Sequence, residues 1–125
     1  MLGYHNHLVV SLGYQGQITG NANLRAIACP SFVLPFRARL VGVSAVSTAI
    51  ASAGTAFIYI LANGTSVLTT YLTLTNADPH SASATILGNY VKHEAGTIFT
   101  IKENTTNTKT LDNPSVQLWF RSLTV

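Results

Sequence analysis

From residue 40 to residue 77 the chain carries no Asp, Glu, Lys or Arg. A helix that crosses a bilayer needs about 20 consecutive apolar residues, and the stretch from Leu40 to Ala62 is long enough. Its texture argues against a span. Gly42, Gly54 and Gly64 interrupt the run, and Ser44, Ser47, Thr48, Ser52 and Thr55 are spread through it. The β-branched and aromatic residues come in bursts. Thr55-Ala-Phe-Ile-Tyr-Ile-Leu-Ala62 is one, and Ser66-Val-Leu-Thr-Thr-Tyr-Leu-Thr-Leu74 is another, with Asn63-Gly64 at the start of the link between them. Asn-Gly favours a two-residue hairpin turn because both residues tolerate positive φ. The stretch therefore predicts two antiparallel strands joined by a tight turn.

The rest of the composition follows the same tendency. Charged residues make up 9% of the 125 residues while hydrophobic ones make up 47%, against roughly 25% charged in ordinary soluble domains. Thr, Ser, Asn, Ala and Gly stand where charge is missing, so the chain is predicted to be one ordered domain with a real core. A neutral surface is cheap to desolvate against other protein, which points to an oligomer or a larger assembly. The net charge of +3 comes from Arg25, Arg37, Arg39, Lys92, Lys102, Lys109 and Arg121, which are dispersed along the sequence. With no run of cations interleaved with stacking aromatics, direct nucleic-acid binding is not expected; a mild preference for an acidic protein surface is. Cys29 stands alone, so no intrachain disulfide or cysteine zinc site is available. The N-terminus has no basic region ahead of an apolar one, and secretion is not expected.

Strand signals recur about every ten residues between Gly, Asn, Pro and Asp, the pattern of an all-β sandwich or barrel. Strands are predicted near residues 7–12, 23–28, 31–36, 38–47, 55–62, 66–74, 83–92, 97–103 and 115–123. In the last of these, alternation puts Val116, Leu118 and Phe120 on the core side and Gln117, Trp119 and Arg121 on the other. Phe99 and Ile101 likewise oppose Ile98, Thr100 and Lys102. Inward positions run Phe36, Ala38, Leu40 and then Val41, Val43, Ala45, a slip of one residue that predicts a β-bulge near Leu40–Gly42. The unbroken run Phe57–Leu61 predicts a strand covered on both faces. Residues 1–30 are polar and Gly-rich, and are read as an arm or added edge hairpin ahead of a sandwich at 31–125. Residues 104–114 read as a polar loop, with Asn113-Pro114 opening the last strand.

Candidate chemistry is thin. His5 and His7 share a strand face, but a metal needs further ligands and only His80 and His93 remain. Asp78-Pro-His80 with Ser81 lacks any motif that frames a nucleophile. Four acidic residues, Asp78, Glu94, Glu103 and Asp112, leave little for a carboxylate pair or a calcium loop. No glycine loop for phosphate is present. No enzyme activity and no cofactor are expected. Asn63-Gly-Thr65 and Asn104-Thr-Thr106 match a glycosylation acceptor pattern, which has no meaning without secretion. Trp119 and Arg121 are another matter: they point away from the predicted core, and Trp and Arg are the residues most enriched at interface hot spots. Either another segment of the chain covers them or another subunit does.

Three segments carry a resemblance. Ala56-Phe-Ile-Tyr-Ile-Leu-Ala-Asn-Gly-Thr-Ser-Val-Leu68 is similar to the strand, Asn-Gly-Thr-Ser, strand pattern of bacteriophage capsid decoration (cement) and head-fibre domains. Val91-Lys-His-Glu-Ala-Gly-Thr-Ile-Phe-Thr-Ile101 resembles their Ala-Gly-Asp step into a strand, with Thr97 in place of the usual Asp. Pro114-Ser-Val-Gln-Leu-Trp-Phe120 is similar to their final strand. The resemblance spans residues 36–125. It implies a jelly-roll β-sandwich of about eight strands that forms a homotrimer, made in the host cytoplasm and seated on the outer surface of an icosahedral phage head. There it would bridge major capsid proteins, with no direct contact to nucleic acid or membrane. Interface candidates on this view are Trp119, Arg121, Arg37, Arg39, Tyr4, Tyr14 and Arg25. The alternative is a carbohydrate- or receptor-binding fibre head, with Tyr14, Tyr71, Tyr90 or Trp119 lining a groove.

Overall fold

The computed structural model describes residues 7–13, 17–19, 25–26, 31–47, 49–51, 55–75, 80–81, 86–88, 91–105 and 110–123. In chain order the strands are β1 (His7–Gly13), β2 (Gln17–Thr19), β3 (Arg25–Ala26), β4 (Phe32–Val33), β5 (Ala38–Val46), β6 (Ala49–Ala51) and β7 (Thr55–Ala62). They continue as β8 (Thr65–Ser66), β9 (Leu72–Thr75), β10 (His80–Ser81), β11 (Lys92–His93), β12 (Ile98–Thr105), β13 (Thr110–Asp112) and β14 (Ser115–Ser122). Every strand pair is antiparallel. The fold is an antiparallel β-sandwich of the jelly-roll type.

One sheet has the order β1-β14-β5, with β10 and β11 on the far edge of β5. The other is β3-β12-β7-β8, with β4 also on β12 and β9 also on β7. A third, small sheet runs β2-β13-β6. The core lies between the two large sheets. Leu12, Leu40, Val43, Ala45, Val116, Leu118 and Phe120 come from one side, and Ala56, Ile58, Ile60, Leu72, Leu74, Phe99 and Ile101 from the other. Phe120 and Phe99 meet edge to face across the gap at 5.1 Å between ring centres, and Phe32 packs beside both. His93, buried on β11, stands edge-on to Phe99.

The Asn63-Gly64 turn is as expected: φ is 49° and 86°, and Leu61 pairs with Ser66. The returning strand is interrupted, however. Pairing with β7 stops after Ser66 and resumes only at Leu72 opposite Ile58. Of the residues between, Val67 and Leu68 stay in the core, Val67 N donating to the Ile60 carbonyl at 3.0 Å and Leu68 bridging to Ile86, and only Thr69, Thr70 and Tyr71 are exposed. Gly96 turns the chain at φ 91°, and Thr97 Oγ1 donates to the Glu94 carbonyl at 2.7 Å.

Three expectations need correction. The bulge in β5 exists, opposite Trp119–Phe120, but the inward residues are Leu40 and then Val43. Val41 is the extra residue and is 50% exposed, because an added residue leaves the ladder without changing which face its neighbours serve. The run Phe57–Leu61 is fully buried on one face only: Ile58 and Ile60 are buried, while Phe57, Tyr59 and Leu61 are half-buried. Residues 110–112, read as loop, form β13, which gains its ladder from β2 and β6 rather than from its own apolar pattern. The apolar stretch from residue 40 is divided among β5, β6 and β7; no helix among the described residues is long and apolar enough to cross a membrane.

Candidate interface face

The outer face of the β1-β14-β5 sheet is ordered in rows, because residues paired across antiparallel strands project to the same side. The first row is basic. His7 pairs with Arg121, Arg121 with Arg39, and Arg39 with Lys92, and all four are exposed. Next comes an apolar row: Val9 pairs with Trp119, and Trp119 with Gly42, beside the bulged Val41. Val9 is 54% exposed and Trp119 38%. The third row is polar. Ser44 Oγ donates to Gln117 Oε1 at 3.0 Å, and Gln117 Nε2 donates to Ser11 Oγ at 3.1 Å and Ser115 Oγ at 2.8 Å.

Gly42 has a packing reason to be glycine. A Cβ there would lie 3.3 Å from Trp119 Cε3, so the indole rests against the bare backbone of β5. The ring is backed by the bare backbone of β5 while part of it stays exposed, which fixes an apolar contact in place. Among the described residues Trp119 keeps 38% of its surface exposed.

Of the seven interface candidates, the structure places Trp119, Arg121 and Arg39 together on this face. Arg37 lies just before β5, and its Nε donates to Glu94 Oε2 at 3.1 Å in an exposed ion pair. Arg25 is on β3 in the other large sheet, opposite Glu103. Tyr4 and Tyr14 lie outside the described residues, as do His5, Cys29, Asp78 and Tyr90. The basic row went unrecognised in the sequence. Residues 39, 92 and 121 look scattered along the chain, and only the strand order β14-β5-β11 makes them neighbours. Val9 and Val41 were likewise missed. The period-2 exposure of β1 would have found Val9; the bulge hid Val41.

A second feature lies on the other sheet. The excursion between β8 and β9 opens a groove of about 480 Å³ lined by Tyr59, Ser66, Leu68, Thr69, Thr70, Tyr71 and Thr73. Tyr71 packs against Phe57 at 4.2 Å and Tyr59 at 5.2 Å between ring centres. No group of three or more His, Cys, Asp or Glu among the described residues is placed to hold a metal ion.

No protein-family model matches the sequence, and no curated protein does. Solved structures share the fold. A chain of the cyanophage Pam1 capsid asymmetric unit superposes with a TM-score of 0.53 at 15% identity, over 98% of this chain and 89% of that one. A chain of the T13 IBDV viral particle gives 0.53 at 10% identity, over 95% of this chain but only 36% of that longer one. The sandwich described above is thus a fold that phage and viral capsid proteins also adopt.

Proposed function

We propose that this protein is a virion structural protein: a decoration or cement subunit that forms a homotrimer on the outer surface of an icosahedral phage head and bridges major capsid proteins. The observation that carries the capsid contact in this reading is the Val9–Trp119–Val41 row, exposed among the described residues at the bulge of the β1-β14-β5 face. Exposed apolar residues in a contiguous patch on a charge-poor surface mark a protein contact. The fold comparison lends support, since the phage capsid chain is nearly spanned by the sandwich rather than carrying it as one domain of a large coat protein. Such a subunit performs no reaction. Its work is buried area between neighbouring capsomers, repeated by symmetry so that weak single contacts add up.

Two measurements test this. Light scattering on the purified chain gives the mass of three copies if the trimer forms, and of one if it does not. Mass spectrometry of purified particles of the encoding virus detects the chain at a fixed ratio to the coat protein; its absence overturns the virion role.

The groove beside Tyr59 and Tyr71 favours a second reading, the receptor- or carbohydrate-binding head of a fibre. Its volume and hydroxyl-rich lining are within the range for a small-ligand site. The two rings that line it, Tyr59 and Tyr71, pack on one another, which leaves less flat surface for a sugar. Saturable binding on a glycan array, lost in Tyr71→Ala, would establish it.

A further inference from the structure

From the basic row we infer the chemistry of the partner: the β1-β14-β5 face docks an acidic, partly apolar segment of another protein, not a second copy of this chain. The inference rests on the virion reading above and deepens it.

The row is costly to the isolated subunit. Adjacent strands lie about 4.8 Å apart, so His7, Arg121, Arg39 and Lys92 form a line roughly 14 Å long. Like charges directly opposite one another in an antiparallel sheet repel. Nothing among the described residues relieves this. The carboxylate of Glu94 is engaged by Arg37, and neither Arg39, Arg121 nor Lys92 has an ion pair with a described residue. Glu103 sits in the other large sheet and Asp112 in the small one, neither on a strand of this face. Among the described residues nothing offsets the gathering of three permanent cations, whereas an anionic partner would.

A second copy is a poor partner. The chain holds four acidic residues against seven basic ones, and two such rows facing each other would repel. The neighbouring row argues for protein rather than nucleic acid. Val9, Val41 and the flat indole of Trp119 offer apolar contact beside the cations, but only one stacking ring among aliphatic side chains. A polynucleotide tract uses several aromatic platforms along a basic groove. A polypeptide that alternates carboxylates and apolar side chains can engage both rows at once.

Trp119 is the only tryptophan, so its fluorescence reports on this face directly. The chain is titrated with a peptide alternating Glu and Val, with its Lys and Val counterpart, and with mixed-sequence duplex DNA. The account predicts saturable change with the acidic peptide alone, weakened about tenfold or more between about 50 and 500 mM salt, and weakened at least about tenfold in Arg39→Ser/Arg121→Ser. Both arginines are exposed, so the variant should fold, and relief of repulsion should leave its melting temperature equal or higher. No response to the acidic peptide, an equal response in the variant, or tighter binding of duplex DNA would each overturn the inference. The trimer mass and the presence in particles are measured separately, so this inference can fail while the virion reading stands.

Discussion

The indole of Trp119 lies over Gly42, close enough that a Cβ at position 42 would come within 3.3 Å of its Cε3. The interface candidate is therefore held by its neighbour's missing side chain, and the two positions should respond together. Gly42→Ala asks the ring to yield by a few tenths of an ångström while removing a flexible residue from a strand, effects of opposite sign that should leave stability within about 1 kcal/mol. Gly42→Val adds two methyl groups under the ring and should cost about 1–3 kcal/mol. Both variants should shift the Trp119 emission, the second more. Urea unfolding followed by fluorescence reads both quantities.

Phe120 and Trp119 are adjacent in sequence and opposite in role. Phe120 is fully buried and joins the two sheets through Phe99. Phe120→Ala should cost about 3–5 kcal/mol, because the void cannot close between two ladders. Trp119→Ala removes a ring that is 38% exposed and should cost only about 1–2 kcal/mol. The same substitution should weaken attachment to the capsid much more than it weakens the fold. Thermal melts beside a particle co-sedimentation assay separate the two effects. A loss of stability at Trp119 equal to that at Phe120 would place it in the core.

At the hairpin, Asn63 and Gly64 both have positive φ. Gly64→Ala has open space around it but forces an alanine into the left-handed region, and should cost about 1–2 kcal/mol. Asn63→Ala loses in addition the acceptor for the Ile98 amide, 3.0 Å from Asn63 Oδ1, and should cost about 2 kcal/mol. Asn63→Gly keeps the backbone at ease but not the hydrogen bond, and should fall near 1 kcal/mol. If Asn63→Gly matches Asn63→Ala, the hydrogen bond matters and the backbone conformation does not.

What the sequence made legible was local. Alternation in Val116–Arg121 told inward from outward, and Asn63-Gly64 located the turn, because both signals are written in adjacent residues. The bulge in β5 was visible as a phase slip, yet Val41 was sent to the wrong face, since a slip does not say which residue is extra. β13 was hidden because Thr110, Leu111 and Asp112 form a strand only through partners far away in the chain. The basic row was hidden for the same reason. Arg39, Lys92 and Arg121 become neighbours through strand order, which composition and spacing do not encode.

The most direct test is a cryo-EM map of the intact particle at side-chain resolution. The account predicts this sandwich on the outer shell in threefold clusters, with the indole of Trp119 covered and the row His7–Arg121–Arg39–Lys92 against carboxylates of a neighbouring coat subunit. A map that shows the sandwich with the Trp119 face open to solvent, or a shell without the sandwich, would contradict it.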